Sequence, residues 1–329
     1  MSDPQVVDVH VHLFERPDDP LRDGYDIWEY GAHDGVAFGT RRGTLEDLEA
    51  AIVTAPVAHC VVLGMFDPHP GEPGEADRLR AYNEWVLDSA AGSPQLTPLV
   101  AADPTTLPGR GGADHLREWA ARGAKGIKIH PVLQGCAPDD PRLDPTYDVC
   151  VELGLTVLAH SGTTRGHGPA SDPFAFCAVL EAHPALHLVL AHLGGASWRQ
   201  VAPFAAAYPA ASFDLCEIIA WTGAPGAPSA DELGRLIRQV GAERVLFGTD
   251  FPWYELDRTV DQLMTLPHLS DEERRGILGE NAIRRMGLEV VSPTRPATGS
   301  LQGGSQVVAP GFATTTLRGR RSGSSPASG

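Results

Sequence analysis

The feature that most constrains the fold is a regular alternation of apolar strand-like segments and amphipathic helix-like segments over residues 6–266. Eight strand patterns occur, and a helical pattern follows each of them. Strict alternation of this kind is typical of a parallel sheet with right-handed crossovers. Eight such units match the size of a closed (β/α)8 TIM barrel, which has about 250 residues. An open doubly wound sheet is the alternative, but no glycine-rich phosphate-binding motif follows any of the strands. The predicted fold class is therefore α/β.

The ends of the elements can be placed from their apolar runs. The predicted strands are Val6–Leu13, His59–Phe66, Leu96–Ala102, Gly126–His130, Leu155–His160, His187–His192, Ala211–Cys216 and Arg244–Asp250. A final helix begins at a capping box formed by Ser270 and Glu273 and runs to about Gly287. Residues 291–329 are mainly Gly, Ser, Thr, Pro and Ala, which cannot bury enough surface to offset the entropy of ordering. We predict a barrel domain over 1–290 and a disordered low-complexity tail over 291–329.

Composition excludes several classes of partner. The formal net charge of −16 argues against binding to nucleic acid or to an anionic membrane surface. The five cysteines are an odd, scattered set without a C-x-x-C motif, which favours reduced thiols in a cytosol. No export signal and no run of about 18 apolar residues is evident. The sequence thus predicts a cytoplasmic protein that acts on a small molecule, and it is compatible with a homodimer.

Polar side chains recur where the predicted strands end. His10 and His12 are two residues apart in the first strand, so their side chains share one face. The later strand ends contribute Lys128, His130, His160, His192, Asp214, Glu217 and Asp250. In a barrel these ends gather at one mouth, where catalytic residues lie. Histidine and carboxylate ligands suit zinc, manganese or iron, and an open coordination position marks a catalytic metal site.

The motifs DVHVHLF, GIKIHP, LAHSGTT, LAHLGG and LFGTDFPW, in this order, resemble those of the amidohydrolase superfamily. The resemblance extends from Val6 to Leu288 and includes the ending GENAIRRMGL. It is strongest to the amidohydrolase-related branch, which includes aminocarboxymuconate-semialdehyde decarboxylase. The resemblance implies one divalent metal ion, with zinc favoured over manganese or iron. Its ligands would be His10, His12, His160 and Asp250.

The resemblance also implies catalytic roles. Asp250 would be both ligand and proton shuttle, and His192 would act on the substrate. Lys128 occupies the strand on which binuclear members carry a carbamylated lysine, and in a mononuclear site its ammonium would bind a substrate carboxylate with help from His130. Arg165 and Trp253 follow strand ends and are further candidates for substrate binding.

Three functions remain open at this point. The first is metal-dependent hydrolysis, through activated water, of a C–N or C–O bond in a small carboxylated amide, lactam, lactone or ester. The second is non-oxidative decarboxylation of a small carboxylic acid with the same ligands. The third is an inactive barrel used as a binding protein, which the intact ligand set argues against.

Overall fold

A computed structural model describes residues 5–24, 30–31, 34–55, 57–162 and 170–290. Within these ranges eight parallel strands form one sheet in the sequential order β1 to β8. The strands are β1 (Val6–His12), β2 (Val57–Leu63), β3 (Leu96–Ala101), β4 (Gly126–Ile129), β5 (Thr156–Ala159), β6 (His187–Leu190), β7 (Ser212–Asp214) and β8 (Val245–Leu246). The predicted (β/α)8 barrel is confirmed.

Helices separate the strands along the chain. Those of the described residues are α1 (Pro20–Gly24), α2 (Leu45–Thr54), α3 (Glu75–Ala91), α4 (Arg110–Ala121), α5 (Pro131–Gln134), α6 (Asp144–Leu153), α7 (Cys177–Ala182), α8 (Val201–Ala207), α9 (Ala230–Val240), α10 (Leu256–Thr265), α11 (Asp271–Arg275) and α12 (Asn281–Met286). Helix α11 begins at the predicted capping box, in which Ser270 Oγ accepts from the Glu273 N–H at 3.2 Å and Glu273 Oε2 accepts from the Ser270 N–H at 2.7 Å. These two bonds satisfy backbone donors that a helix leaves unpaired.

The segment after β8 closes the barrel against β1. The Val9 N–H donates to the Phe247 carbonyl at 2.9 Å, and the Asp250 N–H donates to the His10 carbonyl at 2.9 Å. The predicted eighth strand, 244–250, is regular only over 245–246, because the Phe247 N–H donates to the Ile277 carbonyl at 3.0 Å and the Thr249 N–H to Asp8 Oδ1 at 3.1 Å, and Asp250 then adopts a left-handed backbone with φ of 63°. This closure places the side chains that follow β8 next to the end of β1.

The C-terminal segment packs against the opposite, N-terminal end of the barrel. The predicted single helix is interrupted by a π-helical turn, Gly276–Glu280, between α11 and α12. At this turn Gly279 lies so close to the start of β1 that a Cβ would stand 2.0 Å from the Gln5 carbonyl oxygen. Asn281 then donates from Nδ2 to the Ala242 and Val245 carbonyls, both at 2.8 Å. Glycine at position 279 therefore lets this turn approach the residue that precedes β1.

Some predictions fall outside what the structure describes. The tail 291–329 lies beyond the described residues, so its disorder and the domain boundary stay predictions. In the part of the chain that is described, no helix is both long and apolar enough to cross a bilayer. The cytoplasmic location and the homodimer also remain predictions.

Candidate active site

Eight of the predicted site residues line one small cavity at the carboxyl ends of the strands. The lining residues are His10, His12, Met65, Lys128, His130, His160, His192, Asp250 and Trp253. The space inside measures about 10 Å³, which is close to the room that one water molecule needs. Arg165 lies outside the described residues. The roles given to these residues remain predictions, whereas their positions around one cavity are observed.

His10, His12 and Asp250 form the most compact group in this cavity. The two Nε2 atoms of His10 and His12 are 3.1 Å apart, and each lies 3.4 Å from Asp250 Oδ1. Tetrahedral ligands at 2.0–2.1 Å from a zinc ion are separated by about 3.3 Å. The three atoms thus have the spacing of donors that share one divalent ion, and they form a His/Asp site of metal-binding type.

Hydrogen bonds fix which nitrogen of His10 and of His12 can bind a metal. His10 Nδ1 lies 2.9 Å from Asp214 Oδ2, and His12 Nδ1 lies 3.2 Å from the Leu63 carbonyl oxygen. A carboxylate and a carbonyl accept, so Nδ1 of each imidazole carries the proton and donates it. The lone pair of each ring is therefore on Nε2, the atom that faces Asp250. This arrangement is the usual support for metal-bound histidine.

His160, the remaining predicted ligand, has an unsatisfied nitrogen. Its Nδ1 lies 3.1 Å from Nε2 of His192, and its Nε2 is buried without a hydrogen-bond partner among the described residues. Burial of an unpaired polar atom costs about 1–3 kcal/mol, and a ligand that binds this nitrogen would offset that cost. Its ring nitrogens do not come within 4.8 Å of all three ligand atoms of the compact group. His160 thus suits a metal chemically but stands further from it than the other three residues.

The ionisation of the cavity residues suits metal binding. Burial lowers the pKa of four imidazoles far below the usual histidine value, those of His10, His130, His160 and His192. A neutral imidazole keeps the lone pair that a metal requires. Burial alone would raise the pKa of Asp250, but its interactions with His10 and His12 outweigh burial and bring that pKa below the usual carboxyl value. The site therefore offers neutral nitrogens and an ionised oxygen at neutral pH.

His192 lies in a strained turn directly after β6. Its backbone is left-handed, with φ of 60°, and its N–H donates to Asp214 Oδ1 at 2.8 Å. The predicted sixth strand, 187–192, consequently ends at Leu190, because this N–H bonds to a side chain rather than to the sheet. Left-handed non-glycine residues are uncommon and concentrate at functional sites. Asp214 thus holds both the side chain of His10 and the backbone of His192.

Three of the predicted substrate-binding residues, Lys128, His130 and Trp253, lie next to predicted metal ligands. Lys128 is 2% exposed, and its Nζ donates to His10 Nε2 at 3.3 Å. Burial lowers the pKa of this ammonium, although nearby Cys216 and carboxylates act in the opposite direction. The His130 ring stacks on that of His160 at 3.9 Å, and the Trp253 ring lies 5.5 Å from that of His12.

Sequence reasoning missed three residues. Met65 lines the cavity, and Cys216 Sγ lies 3.0 Å from His10 Nδ1 and 3.1 Å from His192 Nδ1. Asp8 accepts from the His10 N–H at 3.0 Å and from the Thr249 hydroxyl at 2.6 Å, and burial raises its pKa to about 7. The signals available were the position of Cys216 two residues after Asp214 and of Asp8 two residues before His10.

The mouth of this TIM barrel brings histidines, a carboxylate and a lysine together around one small cavity. Such an arrangement is typical of metal-dependent enzymes. The sequence model of the amidohydrolase family matches residues 7–288, and the chain belongs to that family. Its membership places it among the enzymes of the amidohydrolase superfamily, as the motifs predicted.

Similar proteins include several decarboxylases. A 2-amino-3-carboxymuconate-6-semialdehyde decarboxylase of Dictyostelium discoideum is 26% identical over 196 residues, which are 51% of this chain and 54% of the relative. The match thus spans about half the length of that curated relative. The crystal structure of 5-carboxyvanillate decarboxylase from Sphingomonas paucimobilis has a TM-score of 0.62 at 14% identity, over 87% of this chain and 100% of that one. A dihydroxybenzoic acid decarboxylase from Polaromonas, solved with manganese and the inhibitor 2-nitroresorcinol, has a TM-score of 0.64 at 14% identity, over 87% and 97%. At such identities the two structures show the shared fold alone.

Proposed function

We propose that this protein is a metal-dependent decarboxylase that releases CO2 from a small carboxylic acid without an oxidant. The observation that carries the proposal is the sequence match to a semialdehyde decarboxylase within the amidohydrolase family. Decarboxylation was the second of the functions that the motifs left open, and this match favours it over hydrolysis.

The donor set at the barrel mouth fits a divalent ion. His10, His12 and Asp250 would hold it, and the unpartnered Nε2 of His160 would be the fourth donor. Nitrogen and oxygen donors of this kind favour zinc, with manganese or iron as alternatives. When bound, the ion supplies positive charge that binds carboxylate oxygens and stabilises developing negative charge.

The residues of the chain would carry the proton and hold the substrate. In the reaction, the bond from the carboxylate to the substrate carbon breaks, its electron pair stays on that carbon, and a proton replaces the departing CO2. The ionised Asp250 takes a proton from water or a substrate hydroxyl and delivers it to this carbon. The Lys128 ammonium binds a carboxylate oxygen of the substrate, and His192 lines the same cavity beside it.

Hydrolysis of a C–N or C–O bond is the second candidate, because the chain belongs to the amidohydrolase family. In that reaction Asp250 would accept a proton from the attacking water and return it to the leaving group. The two reactions use the same ligands and differ in their products.

The test is a product assay on the full chain with a panel of aromatic and unsaturated carboxylic acids, lactones and amides. We expect release of CO2 from at least one carboxylic acid, loss of this activity with a chelator and its return with a divalent ion. Hydrolysis of a lactone or amide with no release of CO2 would overturn the proposal in favour of the second candidate.

Lys128→Met offers a sharper check on how the substrate is held. If the ammonium binds a carboxylate as a point charge, this variant raises KM with a smaller effect on kcat and keeps its metal. Elemental analysis measures the metal, and we expect one ion per chain in both proteins. Loss of metal from the variant would instead make Lys128 a ligand, as in a binuclear site.

A further inference from the structure

A continuous line of hydrogen-bonding groups runs from a buried carboxylate to the cavity. Glu217 Oε2 lies 3.2 Å from His192 Nδ1, and His192 Nε2 lies 3.1 Å from His160 Nδ1. The line ends at His160 Nε2, the buried nitrogen that has no partner in the described part of the chain. Each group in this line influences which nitrogen of the next imidazole carries the proton.

The direction of these bonds follows from the residue at the start of the line. The negative charge of a carboxylate 3.2 Å from His192 Nδ1 favours the tautomer that carries the proton on this nitrogen, which leaves a lone pair on Nε2. His160 Nδ1 must then donate to that lone pair, and His160 Nε2 is left with a lone pair directed away from His192. Only this set of tautomers lets His160 act as a metal ligand through Nε2.

Cys216 is the competing partner of His192. Its Sγ lies 3.1 Å from the same Nδ1, but the thiol also lies 2.8 Å from Asp214 Oδ1, to which it donates. Sulfur is a weak acceptor, whereas a carboxylate is a strong one. Both groups thus favour a proton on His192 Nδ1, and the full negative charge of Glu217 makes its influence the stronger of the two.

The backbone at Glu217 supports a specific role for this side chain. Glu217 is buried and adopts a left-handed conformation with φ of 59°, which glycine would adopt without strain. Residues that keep such a conformation are held there by their surroundings, at a cost of about 1–3 kcal/mol. Here the conformation brings the carboxylate to His192.

We propose that Glu217 is a positioning residue that sets the tautomer of His192 and, through it, presents His160 Nε2 to the metal. The inference deepens the proposed function, because it rests on the metal site proposed there. A carboxylate oxygen of Glu217 also lies within 4.8 Å of ligand atoms of His192 and Asp250, so the experiments below distinguish positioning by Glu217 from direct binding of the ion.

The first test reads the tautomers directly, in metal-free full-length protein, so it does not depend on activity or on metal. Nitrogen-15 NMR of labelled histidines, assigned with His192→Asn and His160→Ala, distinguishes Nδ1–H from Nε2–H. We expect Nδ1–H at both residues in the wild type and loss of this preference at His192 in Glu217→Gly, which keeps the left-handed backbone. Glu217→Gln retains an acceptor oxygen and should restore the preference. An unchanged tautomer in Glu217→Gly would overturn the proposal.

The second test measures metal affinity by competition with a chelator. We expect Glu217→Gly to weaken binding about 10-fold, the usual cost of losing a partner of a ligand, with the number of ions per chain unchanged. Cys216→Ser, at the neighbouring residue that touches the same nitrogen, should change affinity less than Glu217→Gly does.

A double-mutant cycle then distinguishes an effect of Glu217 that passes through His160 from a general effect on the structure. If Glu217 acts through His160, Glu217→Gly should have no further effect on affinity in a His160→Ala background. Additive losses would show that Glu217 acts by another route. Loss of a whole equivalent of metal would make Glu217 a ligand, which contradicts a positioning role.

Discussion

The two ends of this barrel both bury polar side chains, but they satisfy them differently. At the N-terminal end, Asn281 and Arg244 donate to backbone carbonyls, which leaves their bonds complete within the protein. At the mouth, His10 and His12 donate from one nitrogen and leave the other directed at the cavity, and His160 Nε2 has no hydrogen-bond partner in the described part of the chain. Polar groups that complete their bonds internally stabilise the fold, whereas several unused nitrogen and oxygen atoms directed at one cavity form a site that can bind a ligand.

His10 and His59 are buried histidines on the adjacent strands β1 and β2, and their surroundings can be compared directly. Both are buried, and His59 Nε2 pairs with the Thr97 hydroxyl at 2.8 Å near the start of β2, while its Nδ1 has no hydrogen-bond partner among the described residues. No metal-type group of the described residues includes His59, whereas His10 belongs to the group that also contains His12 and Asp250. A buried histidine by itself therefore says little about chemistry. Its position along the strand and the other possible ligands around it decide the matter.

The largest effect should come from Asp250→Asn at the mouth. This variant keeps the size of the side chain but removes the charge and the proton acceptor, so activity should fall about 10²–10⁴-fold. Steady-state assays with the substrate found in the product screen, together with elemental analysis, measure activity and metal. If the ionised Asp250 is required, the acid limb of the pH profile should disappear or move in the variant. Near wild-type activity would remove Asp250 from the mechanism.

The second-largest effect should be on the free energy of unfolding and should come from His59, at the N-terminal end of the barrel. Burial lowers its pKa from 6.5 to about 4, so between these values the unfolded chain binds the extra proton. The free energy of unfolding should therefore rise with pH through this window, and His59 should contribute up to about 3 kcal/mol that is lost as the pH falls from 6.5 to 4. Denaturant titrations of metal-free wild type and His59→Gln should show a shallower acid loss in the variant. If the free energy of unfolding depended on pH in the same way in both proteins, the lowered pKa of His59 would be contradicted.

A smaller effect is expected from Asn281→Ala, which also lies at the N-terminal end. The substitution leaves the carbonyls of Ala242 and Val245 without their side-chain donor, and we expect a loss of about 1–3 kcal/mol in the free energy of unfolding. Metal affinity and activity per folded molecule should not change. A loss of metal from the folded variant would show that the two ends are coupled.

The sequence predicted the eight strands and the residues around the cavity because both depend on local patterns. Apolar runs locate the strands. The barrel then brings the residues at the strand ends to one mouth, independently of the conformation of the loops. These residues include His10, Lys128, His160 and Asp250. The backbone turns were not predictable in this way. The left-handed His192 depends on a hydrogen bond to Asp214, 22 residues away.

The last helix is a similar case. Its capping box is a local pattern and was predicted, but the π-helical turn was not, and in this turn Gly279 packs against the Gln5 carbonyl, more than 270 residues earlier in the chain. Glu217 and Asp214 were identified only as candidates, because their partners are chosen by tertiary contacts. Local signals thus predicted the elements and the chemistry-bearing residues, and long-range contacts determined how those residues are oriented.

The smallest effect should come from removing the residues after Ser292, which the sequence assigns to neither end of the barrel. With few large apolar residues, the segment should contribute less than about 0.5 kcal/mol, so the melting temperature should shift by less than about 2 °C. Activity and metal content should stay unchanged. A matched truncation after Glu280 removes Asn281 and the buried Ala282 and Leu288, and it should abolish stable folding. A drop of several degrees in the first truncation would show that the tail packs on the barrel and would contradict the predicted boundary at residue 290.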